Sequence, residues 1–498
     1  MNLDPSKAAD ASGLRRNSLG LTDLVFQGVT HIAPATNMMF AYQAIALKAG
    51  PDLPLSLLLA AAVCFLIGNT VSQFSRYMPS SGGYYSFATR GLGSRAGFIA
   101  TWSFLIYEIM GPAGCSGFLG YFLSDTLASQ FHIRVAWWLI ALVSFAAVWA
   151  LTYFGIQLSA RVTVGLGAIE LLIMLALAVT FLIHPATGSS YSAPLNPAMA
   201  PHHFGGVLAG MVFSILALTG FEAVAPMAQE ARRADHFVSQ AIMLSLAAIA
   251  VFYVFTGYAT SVGWGTERML AFANDPNPYF VLGHAFWGSA SWLVVFALVN
   301  SVIGVGLAST NAASRVMFTM GRAGTLPAAF GEVHPVYQTP VLAIAVVQVV
   351  GIVAAMLVGF LLNPDQIFGV LETITALAII VLYVLANLAL TFYMRREHAS
   401  LYSGLQHGLL PVLASLALIP VLLVTVYPVP DWPLNLAPYL YVLALVAGLF
   451  YMLWLEHRSP GTLARGASIL ARSGVVEHDR VVPINSCLDS MVKLPGSE

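Results

Sequence analysis

The stretch FSILALTGFEAVAPMAQEARRADHFVSQA, residues 213–241, decides the fold of this chain. Its apolar lead-in can enter a bilayer as a helix, but Thr219 and Gly220 interrupt it, and Glu222 and Pro226 follow. Backbone groups freed by such a break cost several kcal/mol each in lipid, so the break must line a cavity or be buried in protein. An interrupted span with an ionisable group is typical of a transporter's binding site. A proline-kinked helix whose Glu bonds to a neighbour is the simpler alternative.

The composition places the whole chain in a membrane. Of its 498 residues 58% are apolar and 9% are charged, whereas globular proteins carry about 25% charged residues. The net charge of −1 indicates neither a nucleic-acid partner nor an acidic one. Three cysteines without paired spacing imply no disulfide framework and no metal site, and no cofactor is predicted. The first apolar run begins near Leu21 without a small-residue cleavage site, which predicts an anchor rather than a signal peptide.

Each crossing needs about 20 apolar residues, and we predict twelve transmembrane helices in an all-α integral membrane protein. The predicted spans are 21–47, 54–77, 97–127, 135–154, 159–184, 205–229, 238–264, 289–322, 340–362, 366–394, 408–427 and 436–456. Residues 1–20 and 459–498 are predicted to be polar tails. Gly165 and Gly167 in the fifth span, and Gly304 and Gly306 in the eighth, are predicted to pack helices together.

The basic residues predict the orientation of these spans, because cytoplasmic loops carry an excess of Lys and Arg. With a cytoplasmic N-terminus, only Lys48, Arg134 and Arg268 lie in the outer loops, and the remaining 18 of 21 basic residues lie inside. An even number of spans then places both termini in the cytoplasm. We expect a multi-pass protein of the cell membrane, of the bacterial inner-membrane type.

The first span is interrupted like the sixth. It breaks at residues 31–36 (HIAPAT), where Pro34 removes a donor and frees carbonyls in the preceding turn. Two broken segments at matching places predict an inverted repeat of two five-helix halves, 21–184 and 205–395, with a site at the midplane. The last two helices, 408–456, lie outside the repeat.

Several motifs together resemble the amino acid–polyamine–organocation transporters, in order and spacing across about residues 21–395. They are PSSGGYY at 79–85 with Gly97, Phe98 and Trp102, TGFE at 219–222 with Glu230, NAASR at 311–315, MGRAGTLP at 320–327, and the prolines at 335 and 340. The resemblance implies a leucine-transporter-type fold of five plus five helices with broken first and sixth helices. It also implies alternating access for a small amine-bearing solute.

The resemblance places the substrate between the two breaks. The substrate-contacting residues that we expect are His31, Ile32, Ala33, Ala35, Thr36, Tyr107, Glu108, Thr219, Gly220, Phe221, Glu222 and Tyr383. The chain departs from the family at the first break, where Gly-x-Gly is usual and Ile32-Ala33-Pro34 stands instead. Because Pro34 offers no N–H, a carboxylate on the substrate is less secure here than in the family.

Carboxylates without basic partners occur within the predicted spans. Glu108 and Glu170 each lie about 16 Å into their spans, near the depth of Glu222, and Glu372 is shallower. No Lys or Arg lies at comparable depth, so these acids are neutralised by a proton or approached by a cation. For Glu108, a direct substrate contact and a protonated acid bonded to a neighbouring hydroxyl stand as equal alternatives.

Proton coupling is the predicted source of energy, with Glu170 and His31 as the leading carriers. Ser309 and Thr310 match the hydroxyl pair that sodium-coupled relatives of this fold use, which leaves sodium as the alternative. The predicted function is secondary active transport of an amino acid or related small amine across the cytoplasmic membrane. A polyamine or other cationic amine carried by the same fold is the alternative. A membrane enzyme or a channel is remote, because no catalytic motif or repeated filter sequence appears.

Overall fold

The protein is described from a computed structural model, which covers residues 14–275, 277–427 and 429–466. Its α-helices are α1 (Leu21–His31), α2 (Pro34–Ala49), α3 (Leu53–Tyr77), α4 (Tyr84–Leu92), α5 (Ser94–Phe131), α6 (Trp137–Tyr153), α7 (Ile156–Ile183), α8 (Phe204–Ala217), α9 (Ala234–Trp264), α10 (Met269–Asn274), α11 (Pro278–Trp287), α12 (Trp292–Arg322), α13 (Val341–Leu361), α14 (Ile367–Glu397), α15 (Leu410–Val426) and α16 (Ala437–Arg458). A 3₁₀ segment, Phe221–Gln229, follows α8.

Nine helical stretches of the described residues are long and apolar enough to cross a membrane. One of them, Leu21–Tyr77, contains both the first and the second predicted span. The long helix α5 is outside this set, and α6 is a shorter apolar helix. The protein is therefore a multi-pass, helical membrane protein, while twelve crossings stay a prediction.

The two interrupted segments lie at the centre of the helix bundle. Helix α1 packs against α7, α9, α12 and the 3₁₀ segment, and α2 packs against α8. Helices α15 and α16 pack on the outside against α3, α5 and α14, and many of their large apolar side chains are exposed, as lipid contact requires. Most of the buried core consequently comes from the predicted repeat, and the last two helices add only a few residues to it: Ala414, Leu418, Val421, Ala437, Tyr441 and Met452.

Part of the predicted N-terminal tail packs against the loop after the second interrupted segment. The backbone N–H groups of Ser18 and Leu19 donate to the Glu230 carbonyl at 2.8 and 3.0 Å, and Arg232 N–H donates to the Leu19 carbonyl at 2.9 Å. Leu14 is also buried. Residues 1–13 and 467–498 of the predicted tails lie outside the described residues.

Three of the four predicted packing glycines lie at close helix contacts. A Cβ on Gly167 or Gly306 would lie 2.7 Å from Thr30 or Val148, and a Cβ on Gly304 would lie 3.2 Å from Thr30. The prediction for Gly165 is wrong, because nothing lies within 4 Å of a Cβ there.

Candidate functional site

The first break lies between α1 and α2, at Ile32 and Ala33. Ala33 has φ 54° and ψ 67°, in the left-handed region that non-glycine residues rarely adopt, and Pro34 begins α2. A residue before proline is disfavoured in the right-handed helical region, which favours a break at Ala33. The break lies within the predicted stretch 31–36, and the local sequence contributes to it.

Asn37 joins the first break to the second. Its side-chain amide donates to the Ile32 carbonyl at 2.5 Å and to the Ala217 carbonyl, at the end of α8, at 3.1 Å. The Tyr253 hydroxyl also donates to the Ile32 carbonyl, at 3.3 Å. The Ile32 and Ala217 carbonyls are thus paired inside the protein, as buried carbonyl groups require.

The second break depends on Gly220, whose φ of 130° favours glycine. A Cβ at this position would lie 2.8 Å from Ile32 N and 2.7 Å from His31 Nδ1. Glu222 stabilises the turn, because its Oε2 accepts from Gly220 N–H at 3.0 Å and from the Tyr383 hydroxyl at 2.8 Å. The two breaks are pressed together here with no space for a side chain.

A cavity borders both breaks. Of the predicted substrate-contacting residues, the structure places these on its lining: His31, Ile32, Ala33, Thr36, Tyr107 and Thr219. Ser309, from the predicted hydroxyl pair, also lines it. Six residues separated by nearly 190 positions in the chain therefore surround one space, where a small solute is able to bind.

The other predicted residues are buried behind this lining. Ala35, Glu108, Gly220, Phe221, Glu222 and Tyr383 do not line the cavity, and the Phe221 and Tyr383 rings stack with centroids 6.3 Å apart. Thr310 points elsewhere and accepts from the Gln348 amide at 2.7 Å. Of this set, Glu222 and Tyr383 form hydrogen bonds at the second break.

His31 and Glu108 form a buried pair. His31 Nε2 lies 2.7 Å from Glu108 Oε2 and 2.9 Å from the Ser309 hydroxyl, while His31 Nδ1 and Glu108 Oε1 have no hydrogen-bond partner. Of the two alternatives for Glu108, this geometry matches the acid bonded to neighbouring side chains. His31 itself lines the cavity, and Glu108 lies behind it.

Glu170 approaches the start of α2 from α7. Its Oε1 accepts from Ala35 N–H at 2.6 Å, and its Oε2 is buried without a partner. Beside it, Ser301 of α12 accepts from Thr36 N–H at 3.2 Å. The Glu170 carboxyl group is consequently hydrogen-bonded to the backbone at the first break.

Sequence reasoning missed Glu372 as a site residue, because its position near the start of the tenth span seemed shallow. It is half-buried and lines both the first cavity and an adjoining one. Phe368, Glu372 and Thr375 share one face of α14 and line both cavities, so helical spacing was the available signal. Asn37 was also missed, since nothing local shows which carbonyls it bonds.

Two of the motifs that carry the resemblance meet in a fully buried ion pair. Arg315 donates from Nε and Nη2 to Glu230 Oε2 and Oε1 at 2.8 and 3.2 Å, and both side chains have 0% exposure. Arg315 also donates to Asn311 Oδ1 and Ser314 Oγ, each at 3.1 Å. This pair fixes α12 against the loop after the second break.

Comparison with known proteins gives consistent matches. A family model described as amino acid permease matches residues 23–462. The branched-chain amino acid permease BcaP of Bacillus subtilis (strain 168) is 27% identical over 424 residues, which are 81% of this chain and 86% of that protein. The methylthioribose transporter of the same strain is 25% identical over 428 residues, 82% of this chain and 88% of that protein.

A third relative is more distant. The low-affinity putrescine importer PlaP of Escherichia coli (strain K12) is 21% identical over 346 residues, 68% of this chain and 74% of that protein. The family model spans both interrupted segments and the buried ion pair. The chain belongs to the amino acid permease family, within the amino acid–polyamine–organocation superfamily of membrane transporters.

Proposed function

We propose that this transporter is a secondary active carrier that moves an amino acid or related small amine across the cell membrane by alternating access. The observation that supports this is the cavity at the two breaks, which is lined by His31, Glu372 and polar side chains. None of the lining residues in the described chain is a Lys or Arg. A positively charged amino group is therefore better matched to the cavity than an anion.

The proposed topology keeps the twelve crossings and the five-plus-five inverted repeat. If Leu21–Tyr77 crosses twice, and α5 and α6 also cross, the nine apolar stretches extend to twelve crossings. Two breaks facing each other at one cavity support a pseudo-two-fold relation between the halves. Both termini then lie in the cytoplasm, on the side that holds most of the basic residues.

Proton coupling is proposed to act through Glu170. Its carboxyl group is buried without a cationic partner and bonds to Ala35 N–H at the first turn of α2, where the helix dipole favours negative charge. Protonation removes that charge and weakens the charge-assisted hydrogen bond. Glu170 therefore has one proton affinity in a state in which it bonds to the start of α2, and another in a state in which that bond is broken. A difference of this kind is what couples a proton gradient to a change of state.

His31 is the second proposed proton carrier. Its Nε2 lies within hydrogen-bond distance of both Glu108 and Ser309. Protonation of the His31–Glu108 pair therefore changes the charge next to the cavity, because His31 is on the cavity lining. Sodium is less well supported, because Ser309 bonds to His31 and Thr310 to Gln348. The two hydroxyls of the predicted sodium pair thus have side-chain partners already.

The substitution Glu170→Gln tests the coupling, because Gln still offers an oxygen to Ala35 N–H but does not titrate. In proteoliposomes with sodium-free buffer, we expect an imposed pH gradient to drive accumulation of a labelled amine by the wild-type protein. For the variant we expect at least tenfold less accumulation. This factor corresponds to the free energy of one charge-assisted hydrogen bond. Exchange of labelled for unlabelled solute, which needs no gradient, is expected to continue.

Retained exchange is the control that the variant is folded and binds solute. If the wild-type protein accumulates solute only when sodium is supplied, proton coupling is wrong. If Glu170→Gln still accumulates solute under the pH gradient as the wild type does, then Glu170 is not the carrier and His31 remains to be tested.

A further inference from the structure

The backbone donors at the first break already have partners inside the protein. Pro34 has no N–H, and Ala35 and Thr36 donate to Glu170 and Ser301 as described above. The remaining donors bond within the break: Ile32 N–H to Gly28 O at 3.1 Å, Ala33 N–H to Thr30 O at 3.1 Å, and Asn37 N–H to Ala33 O at 3.0 Å. The break therefore offers no free N–H group to a solute carboxylate.

Glu170 makes this position unfavourable for a second carboxylate. Its Oε1 lies 2.6 Å from Ala35 N, where an anion bound at the start of α2 would lie. A solute carboxylate would have to displace it, and Glu170 would then be left buried without that hydrogen bond. While it is ionised, Glu170 also repels an approaching anion.

The opposite wall of the cavity carries the group that suits a cation. Glu372 is half-buried, and a weak contact from the Cys115 thiol, at 3.7 Å, is the donor that approaches its Oε1. It lies between two cavities that share Asn37, Leu216, Thr219 and Thr375 on their linings. A cation with a flexible chain is able to extend from one cavity into the other while its ammonium group contacts Glu372.

From these observations we propose that the solute is an organic amine that lacks a carboxylate, with an ammonium group bound by Glu372. Glu170 takes the place that the carboxylate of an amino acid would occupy at the first break. This inference rests on the proposed transport function and narrows its substrate class to amines and diamines. An amino acid and the amine formed by its decarboxylation differ only in the carboxylate. In this proposal the side chain of Glu170 occupies the position of that carboxylate.

Matched pairs of solutes test the inference on the full-length protein in proteoliposomes. The first pair is 1,4-diaminobutane and ornithine, and the second is 3-methylbutylamine and leucine. Each is used as an unlabelled competitor and as a labelled solute in exchange assays. We expect each amine to compete at least tenfold better than its parent amino acid. The carboxylate of the amino acid would meet Glu170 at the first break, where no backbone N–H group is free to bind it.

Substitution of Glu372 tests the cationic contact. We expect Glu372→Gln to weaken binding of 1,4-diaminobutane about ten- to hundredfold, the range of one charge-assisted hydrogen bond. Glu372→Asp is expected to restore part of the affinity. Glu397→Gln is the matched control, because Glu397 lies on the same helix in an exposed pair with Arg90, and it is expected to leave binding unchanged.

The possible failures are distinguishable. Equal or better competition by the amino acids overturns the inference while the transport function stands. An unchanged affinity for 1,4-diaminobutane in a folded Glu372→Gln protein removes Glu372 from the site. If the wild-type protein exchanges amines and amino acids equally little, then the proposed function itself is wrong.

Discussion

Replacing Glu230 with leucine is expected to destabilise the protein by about 3–5 kcal/mol, the loss that follows when one member of a buried ion pair is removed. The guanidinium of Arg315 would then remain buried without its bidentate partner. Asn311 and Ser314 supply neutral acceptors only. The measurement is the thermal unfolding midpoint of the purified protein in detergent, with the yield of monodisperse protein as a second readout.

An exposed ion pair provides the control for this prediction. Arg90 and Glu397 also form an ion pair, but their side chains are 22% and 31% exposed. Glu397→Leu is therefore expected to cost less than about 1 kcal/mol. The double variant Glu230→Leu/Arg315→Met removes both buried charges and is expected to recover most of the lost stability. If Glu230→Leu is no more destabilising than Glu397→Leu, the buried pair does not hold α12 in place.

The breaks could be predicted from sequence because their causes are local. Pro34 and Gly220 each favour a break through their own backbone chemistry, so residues 31–36 and 219–220 were identified without knowledge of their neighbours. The family motifs likewise indicated that the segments around Glu230 and Arg315 belong to one fold. That these two residues pair directly is a contact across 85 positions, which no local pattern records.

The parts that could not be predicted depend on long-range contacts. Asn37 looks like any polar residue in an apolar span until the carbonyls of Ile32 and Ala217 are brought to it. Glu170 and Glu108 were identified as buried acids, but their partners, Ala35 N–H and His31, are set by how α1, α2, α5 and α7 meet. Depth along a helix was misleading for Glu372, because a cavity reaches its side chain.

The proposed substrate class and the proposed proton coupling both depend on Glu170 at the first break. The first break is bonded on one side by Glu170, the proposed proton carrier, and borders on the other side the cavity that contains Glu372. In the proposed mechanism, a change in protonation at Glu170 weakens its hydrogen bond to the backbone that borders the cavity. If both proposals hold, Glu170 excludes a solute carboxylate and also carries the proton, without a direct contact between the proton and the solute.

Gly220→Ala is expected to reduce transport by more than tenfold, because the two breaks leave no room for a methyl group. The backbone φ of 130° alone costs a non-glycine residue on the order of 1–3 kcal/mol. The added Cβ would lie 2.8 Å from Ile32 N and 2.9 Å from the His31 carbonyl carbon, and backbone atoms cannot turn away as a flexible side chain can. The second break must therefore move away from the first, which disturbs the bonds of Asn37 and the lining of the cavity.

Gly165→Ala is the matched control for this substitution, because a Cβ on that helical glycine meets nothing within 4 Å. Alanine is favoured over glycine in a helix by about 0.5–1 kcal/mol, so the control is expected to be as stable as the wild type and equally active. Initial rates of exchange in proteoliposomes, normalised to reconstituted protein, compare the two variants. If the Gly220→Ala variant exchanges solute at the wild-type rate, the breaks separate freely during transport. The close contact between Gly220 and the first break is then not needed for function.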